Sequence, residues 1–465
     1  MYQASHIILS KEHHKDLHAY AEHHAALSKC LYNAALFRIR QIFTGYDKQD
    51  RTDNEKVVFS EVARLEAAKP SIRVRRVISY GHLENLMRVT ENPDFFAGLP
   101  MQTAQAIVNQ AVQDFKNWLA SLKAYKKEPS GFLGKPKMPK YKKQLYATFT
   151  ITNQDAVLYP VTDGNGSVAG TELKLPLTKI RTLMPDIPAS AVLKEVKFIP
   201  YYGRYILSLT LETEDTPVRT GMSHTAAIDF GTDNIAAIVC TDQTCRIYKG
   251  GAILSENRCF AKRRAEAVSL LTQGHKHRKA ESRYLTDLSY HHANFNKDQM
   301  HKISADIIRY CMEHNAGTLI LGVNKNWKQN VNLGSANNQK FVTVPLAMLW
   351  SMIRYKAARA GITVLEQEES YTSKSDVTAG DTLPVYGKET GPLRFSGVRV
   401  SRGLYRCHNG LLINADCNGA ANIMRKADPG IWNSCMDFSF LSRPDVCGFH
   451  ELNPSSIPVK RIGAA

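Results

Sequence analysis

The first part of the chain shows a short alternating segment followed by helical periodicity. Residues 3–9 alternate between apolar and polar and predict one strand. Apolar residues then recur at helical spacing over 17–42, 79–89 and 101–125, which predicts three helices. A Lys/Pro-rich stretch, KPKMPKYKK at 135–143, follows them. Because its prolines prevent a long helix, the lysines are expected on extended backbone.

The hydrophobic period changes to two after residue 147. Strands are predicted at 149–152, 172–177, 193–199 and 205–212, and YYGR at 201–204 reads as a hairpin turn. One early strand, a set of helices and then several strands predict a small antiparallel β-barrel interrupted by a helical lobe.

The second half shows a different order of elements. AAIDFGTDNIAAIVC at 226–240 predicts an apolar strand, a turn and a second apolar strand, and basic helical sequence fills 255–315. TLILG at 318–322 and ITVL at 362–365 predict two buried strands, separated by a helix at 345–360. Strand, helix and strand with continuous apolar runs predict a parallel sheet covered on both faces. The fold class is therefore α+β and α/β, with several domains.

Charge points to a polyanionic partner. The 465 residues include 60 Lys and Arg against 43 Asp and Glu, a formal net charge of +17. A compact protein tolerates that self-repulsion best when nucleic acid neutralises it in use. A basic surface kept for solubility is the simpler alternative. A membrane surface is disfavoured because the cations do not lie along one amphipathic helix, and no run of 18 apolar residues predicts a membrane span.

The cysteines predict reduced thiols. There are nine, none in a C-x-x-C pair, and no secretory segment opens the chain. This pattern is typical of a cytoplasmic protein without a disulfide framework.

Acidic residues occur at three positions where strands end or a helix begins. Asp229 is polar within an apolar strand, Glu368 and Glu369 follow ITVL, and Asp416 lies at the start of a helix at 414–426. Open α/β sheets gather ligands at strand carboxyl ends, so these groups could converge. Clustered carboxylates repel each other unless cations intervene, and oxygen ligands suit Mg²⁺ or Mn²⁺. Taken singly, each acid could instead be a turn or helix-cap residue.

Three sequence blocks resemble signatures of the TnpB family of transposon-encoded, RNA-guided nucleases, which is related to type V CRISPR effectors and Fanzor proteins. The blocks are IDFGTDN at 228–234, EESYTSK at 368–374 and NADCNGAANI at 414–423, and KPKMPKYKK resembles the family's linker into its wedge domain. The resemblance implies a wedge β-barrel with an inserted helical recognition lobe, followed by a RuvC-like nuclease domain of RNase H fold. It also implies a guide RNA derived from the transposon end and cleavage of double-stranded DNA beside a short flanking motif.

The resemblance implies a division of the chain into seven segments. They are a first wedge strand at 1–15, the recognition lobe at 16–135, the barrel at 136–221, the first RuvC-like part at 222–371, an inserted nucleic-acid-binding subdomain at 372–410, the last RuvC-like helix at 411–426 and a tail at 427–465.

The chain departs from the family at its second catalytic acid. The usual glutamate position, at the end of TLILG, is Gly322 here. Some relatives are similar in using a glutamate two residues before the tyrosine of YTS, which implies that Asp229, Glu369 and Asp416 hold two Mg²⁺ ions, or Mn²⁺, for phosphodiester hydrolysis. Glu368 is the second choice for the relocated acid. The alternative is a nuclease-inactive, RNA-guided DNA-binding protein; a transposase acting without RNA and an RNase H-like RNA-processing enzyme are further rivals.

A second departure concerns zinc. The family often carries a zinc ribbon after YTS, but 375–407 contains a single cysteine, and tetrahedral zinc needs four ligands. No structural zinc is expected, and the insert would be held by ordinary packing.

Cations and aromatic residues, nearly all of them outside the three blocks, are candidates for contacts with nucleic acid, either by neutralising phosphates or by stacking. A solvated basic loop and, for the tryptophan, a core position are the alternatives. The candidates are Lys135, Lys137, Lys140, Tyr141, Lys142, Lys325, Trp327, Lys328, Lys374, Arg399, Arg402 and Arg406.

Overall fold

The chain folds into two compact units. The computed structural model describes residues 2–143, 147–162, 168–184, 187–188, 190–214, 221–273, 280–323, 343–387, 391, 393–432 and 436–453. Unit 1 is Met1–Glu214 and unit 2 is Asp215–Ala465. No helix within the described ranges is both long and apolar enough to cross a membrane.

Four helices of unit 1 pack around one apolar core. They are α1 (Lys15–Gly45), α2 (Asp53–Ala68), α3 (Tyr80–Val89) and α4 (Met101–Lys127), followed by a 3₁₀ turn at Pro129–Gly131. The three helices predicted from periodicity are α1, α3 and α4. Helix α2 was not predicted, because its buried apolar stripe is only Val58, Val62 and Leu65. Its start is fixed locally by a capping box between Thr52 and Glu55.

The strands of unit 1 form two antiparallel sheets. The four-stranded sheet has the order β1 (Tyr2–Leu9), β7 (Arg204–Glu212), β6 (Val192–Tyr201) and β2 (Phe149–Thr152). The three-stranded sheet contains β3 (Val157–Thr162), β4 (Val168–Lys174) and β5 (Arg181–Met184). Both sheets contribute to one hydrophobic cluster, as opposite walls of a small barrel would.

The early strand belongs to the later sheet, as predicted. Residue Tyr2 pairs with Glu212 and Leu9 pairs with Tyr205, so β1 lies antiparallel to β7. In sequence, helices α1 to α4 therefore come between β1 and β2, which are strands of the same sheet.

Unit 2 is built on a six-stranded sheet of order β12-β11-β8-β9-β10-β16. The strands are β8 (His224–Phe230), β9 (Asn234–Cys240), β10 (Thr244–Lys249), β11 (Ala316–Val323), β12 (Thr363–Glu368) and β16 (Asp445–Cys447). Strands β8, β11 and β12 are parallel, whereas β9 is antiparallel to both β8 and β10. The prediction of a parallel sheet was thus incomplete, because turns as short as 231–233 join only antiparallel neighbours.

Helices cover both faces of this sheet, as predicted. Helices α5 (Gly251–Thr272) and α6 (Arg283–Glu313) follow β10, and α7 (Leu346–Arg359) follows β11. Helices α6 and α7 pack against one face. Helix α8 (Ala415–Ala427) packs against the other face. A 3₁₀ turn (Ser439–Ser442) and the short α9 (Phe449–Leu452) flank β16.

The segment between β12 and α8 carries a small antiparallel sheet of β13 (Val398–Ser401), β14 (Leu404–Arg406) and β15 (Leu412–Asn414). Its centre is the fully buried carboxylate of Asp376. One oxygen accepts hydrogen bonds from the Thr378 amide and hydroxyl, at 2.9 and 2.7 Å. The other accepts from the His408 amide at 2.6 Å and lies 3.2 Å from His408 Nδ1. A buried carboxylate with this many partners fixes two distant parts of the insert together.

We expect Asp376→Asn to lower the free energy of unfolding by roughly 2–4 kcal/mol, since an amide cannot accept the same set of bonds. Burial raises the pKa of Asp376, but the hydrogen bonds from His408 and Thr378 outweigh it and lower the pKa. The stabilisation should therefore be present above the ordinary Asp pKa of about 3.9 and be lost as the pH falls below it. Urea unfolding against pH measures this, with the exposed Asp437→Asn as control. A melting temperature that EDTA lowers markedly would contradict a zinc-free insert.

Candidate active site

Asp229 lies near the end of the central strand β8. Leu321 of β11 pairs with Ile228, so Gly322 is level with Asp229 on the neighbouring strand. Burial raises the pKa of Asp229 well above its ordinary value, and the nearby charges of Glu369 and Asp416 raise it further. Glu369 and Asp416, which lie 140 and 187 residues further along the sequence, therefore both act electrostatically on Asp229.

The carboxylate of Glu369 occupies the space beside Gly322. A Cβ added to Gly322 would lie 3.1 Å from Glu369 Oε2, 3.1 Å from the Ile228 carbonyl oxygen and 2.6 Å from Ile423 Cδ1. The glycine is thus the residue type that leaves room for this carboxylate. Burial, and then the charge of Glu368, raise the pKa of Glu369 to about 7.

Glu368 is engaged in a different set of contacts. Its Oε2 accepts a hydrogen bond of 2.6 Å from the Lys426 ammonium, and its Oε1 accepts from the amide and hydroxyl of Ser370. Lys426 is buried and also donates to the Ser370 and Pro384 carbonyls, both at 2.9 Å. Although burial opposes it, these bonds lower the pKa of Glu368. Of the two adjacent glutamates, Glu368 is paired with Lys426, and Glu369 is the one whose charge acts on Asp229.

Asp416 is held by side chains from two other elements. Asn414 caps α8 by accepting hydrogen bonds from the Asp416 and Cys417 amides, so the cap is Asn414 and not Asp416. Asn234 Nδ2 donates to Asp416 Oδ2 at 2.6 Å, and Lys249 fixes Asn234 by donating to its Oδ1 at 3.1 Å. The Asp416 carboxylate is thereby oriented with one oxygen already bonded.

Helix α8 leaves space for Asp229 at Gly419. A Cβ on that residue would lie 2.6 Å from Asp229 Oδ2. On the same helix, Asn418 and Asn422 share a face, as their spacing predicted. Asn418 donates to the Ser375 carbonyl, and Asn422 donates to the Thr372 and Ser375 carbonyls. These bonds attach the turn that follows Glu369 directly to the helix that carries Asp416.

The donor set suits a hard divalent cation. The converging groups are carboxylate oxygens, their charges disfavour one another, and two glycines leave the space around them clear. Within the described ranges no three His, Cys, Asp or Glu side chains are gathered as a ready metal-ligand set. The chemistry of the residues fits Mg²⁺ or Mn²⁺.

The predicted linker cations divide into two groups. Lys135, Lys137 and Lys140 are exposed. Lys142 is half-buried: its backbone pairs with the Asn33 side chain in both directions, and its ammonium lies 3.9 Å from the centre of the Tyr32 ring. Burial lowers the pKa of Lys142. This lysine attaches the linker to α1, which the sequence did not predict.

Tyr141 is partly exposed, and the Arg40 guanidinium lies 4.9 Å from its ring centre. The three predicted contacts in the NKNWKQN segment lie outside the described residues; they are Lys325, Trp327 and Lys328.

Two of the predicted arginines of the insert contact acids. Arg399 Nη2 lies 3.4 Å from Asp416 Oδ1, and Arg402 Nη2 lies 2.5 Å from Asp233 Oδ2. Lys374 and Arg406 are exposed. The roles of Asn234, Lys249, Gly419 and Lys426 were not predicted from the sequence. Asn234 and Gly419 lie inside the signature blocks, which was the available signal.

Comparison with known proteins identifies two matching families and a relative. Residues 208–328 match the OrfB_IS605 family, described as "Probable transposase", and residues 347–423 match the Cas12f1-like TNB domain. A TnpB-like protein, ORF457 of Acidianus two-tailed virus, is 29% identical over 213 residues, which are 43% of this chain and 41% of that protein. The matched segments are similar to the TnpB/OrfB transposase family, and the chain spans less than half the length of the TnpB-like relative.

Solved structures of Cas12 effectors resemble the chain weakly. A Cas12f1–sgRNA–target DNA complex aligns with 91% of this chain and 98% of its own, at 11% identity and a TM-score of 0.31. CasPhi-2 (Cas12j) bound to crRNA and phosphorothioate-DNA aligns with 96% and 92%, at 10% identity and a TM-score of 0.38.

The two adjacent glutamates should respond oppositely to substitution in metal-free protein. Because the folded state raises the pKa of Glu369, this residue contributes stability in full below its ordinary pKa of about 4.5. The contribution is lost as the pH rises through the raised pKa of about 7. Glu369→Gln should therefore be more stable than the parent at pH 8, by about 1–3 kcal/mol. Glu368→Gln should be less stable by about 1–2 kcal/mol, since it leaves buried Lys426 without its carboxylate.

Urea unfolding in EDTA at pH 5 and pH 8 measures both variants, and the gain from Glu369→Gln should shrink at pH 5. If Glu369→Gln were no more stable at pH 8, Glu369 would not lie in the repulsive cluster.

Proposed function

We propose that this TnpB-like chain is an RNA-guided endonuclease that cleaves double-stranded DNA beside a short flanking motif through a RuvC-like site. One observation carries the proposal: the Glu369 carboxylate fills the space beside Gly322 and interacts electrostatically with Asp229, whose pKa also responds to Asp416. A relocated glutamate explains how a chain with glycine at the usual acid position retains three carboxylates at one sheet end. The mixed order of the six-stranded sheet also supports an RNase H fold.

The three acids come from different elements of unit 2 and would bind the same metal ions. Asp229, Glu369 and Asp416 would hold two Mg²⁺ ions, or Mn²⁺, which when bound stabilise negative charge on the attacking and leaving oxygens of a phosphodiester. Asn234 keeps Asp416 Oδ2 bonded, so its carboxylate cannot rotate freely. Lys426 pairs with Glu368, and its positive charge lowers the pKa of Glu369 against the raising effect of Glu368. Glu369 must lose its proton to bind a cation, which favours activity above pH 7.

The partners we propose are a guide RNA derived from the transposon end and a double-stranded DNA target. Base pairing would select the sequence, and the protein would grip the backbone and read the flanking motif. The net charge of +17 and the exposed linker cations Lys135, Lys137 and Lys140 support this division. The helices between β1 and β2 are the proposed recognition lobe, and the two sheets of unit 1 the proposed wedge.

The alternative is an RNA-guided DNA-binding protein without nuclease activity. The specific observation in its favour is Gly322, which supplies no side chain for a metal. Binding and cleavage are separable measurements, so the two functions can be distinguished on the same purified complex.

We expect the purified complex with guide RNA and Mg²⁺ to linearise a plasmid that carries the guide-matched target. Asp229→Asn, Glu369→Gln and Asp416→Asn should each lower the cleavage rate by at least about a thousandfold, because loss of one metal ligand removes most of the charge stabilisation. Glu368→Gln is the matched control, with the same chemical change one residue away, and should keep activity within about tenfold. Target binding without cleavage by the parent complex would favour the nuclease-inactive alternative.

A discrete RNA should copurify with the chain when it is expressed with its flanking DNA. Backbone neutralisation by exposed cations predicts that removing Lys135, Lys137 and Lys140 together weakens retention and reduces its salt dependence. RNA sequencing and salt titration of the complex provide the measurement. Absence of any defined transcript would instead favour a transposase that acts without RNA.

A further inference from the structure

The hairpin of β13 and β14 brings two arginines to two acids near the start of β9. Asp233 directly precedes this strand, and Asp416 accepts a hydrogen bond from its first residue, Asn234. Arg399 Nη2 lies 3.4 Å from Asp416 Oδ1, and Arg402 Nη2 lies 2.5 Å from Asp233 Oδ2. The two contacts differ in kind. Asp416 belongs to the carboxylate cluster, whereas Asp233 lies in the turn between β8 and β9.

Arg399 reduces the repulsion within the cluster. Its charge lowers the pKa of Asp229, against the raising effects of burial, Glu369 and Asp416. Among the other described cations at the site, Lys249 donates to Asn234, and Lys426 donates to Glu368. Within the described ranges, Arg399 is therefore the cation whose side chain directly contacts one of the three clustered acids.

The two oxygens of Asp416 have different kinds of partner. Oδ2 accepts a short bond from Asn234, a neutral amide that Lys249 holds in place. Oδ1 faces a guanidinium that is 44% exposed and can swing into solvent without unfolding any element. An exposed ion pair of this kind contributes little to stability, so its replacement by a stronger cation requires little free energy.

We propose that Arg399 is the resident counter-cation of the carboxylate cluster in the metal-free chain and that divalent cations must displace it from Asp416. This inference rests on the proposed function, since it takes the cluster as the metal site. Two cations cannot share Asp416 Oδ1 without strong repulsion, so the guanidinium weakens metal binding until it leaves. The displaced side chain becomes available to a backbone phosphate, the partner expected from the sequence.

The test measures Mn²⁺ affinity of the full chain without nucleic acid, by the electron paramagnetic resonance signal of free Mn²⁺. Arg399→Gln should bind Mn²⁺ about three- to tenfold more tightly than the parent, as removal of one nearby competing charge predicts. Arg406→Gln is the matched control, because Arg406 lies on the same small sheet, is exposed and loses the same charge. It should change the affinity less than about twofold. Asp416→Asn identifies the binding event that belongs to the cluster.

Unchanged Mn²⁺ affinity in Arg399→Gln, or an equal gain in Arg406→Gln, would overturn the inference. Either result leaves the nuclease proposal standing if Asp416→Asn still weakens binding. Mn²⁺ binding that is indifferent to Asp416→Asn would instead contradict the proposed metal site itself.

Discussion

The constraint on which unit 2 depends is the mutual repulsion of carboxylates brought to one end of a sheet. Asp229 is near the end of β8, Glu369 follows β12, and Asp416 begins α8. Their charges raise the pKa of Asp229, so the fold carries them at a cost to its own stability. Several neighbouring residues reduce that cost. Lys426 pairs with the adjacent acid Glu368, Asn234 donates a hydrogen bond to Asp416, and Arg399 adds a positive charge. Charge repulsion of this kind is what a bound cation would relieve.

Space around the acids is controlled as closely as charge. A methyl group on Gly419 would meet Asp229 Oδ2 at 2.6 Å, and one on Gly322 would press against Ile423 and Glu369. Gly322 and the glutamate that follows β12 are therefore sterically coupled. If a side chain returned at 322, Glu369 would have to move away. The sequence shows a glycine at 322 and a glutamate at 369. Only the structure shows that a side chain at 322 would lie too close to the Glu369 carboxylate.

Periodicity predicted the elements well where the apolar stripe is wide or the alternation is clean, as in α1, α4, β6 and β7. It failed for α2, whose buried stripe is three residues, and for β10, whose pairing with β9 depends on a turn. The candidate acids could be chosen from their placement: Asp229 is polar within an apolar strand, Glu369 follows a strand, and Asp416 lies at the start of a helix. Lys249 and Lys426 could not, since a lysine in sequence does not reveal which acid it will meet. Arg399 was expected at a phosphate and lies on Asp416, which no pattern of charges along the chain specifies.

The insert is coupled to the candidate site through hydrogen bonds that begin in its own core. Asp376 fixes Thr378 and His408, while Asn418 and Asn422 bind the carbonyls of the segment just before it. Because that segment follows Glu369 directly, loosening the buried carboxylate would let the relocated acid drift from Gly322. Here the fixing groups lie partly on α8 itself, so the helix that supplies Asp416 also positions Glu369, and the geometry of the two acids depends on one packed interface.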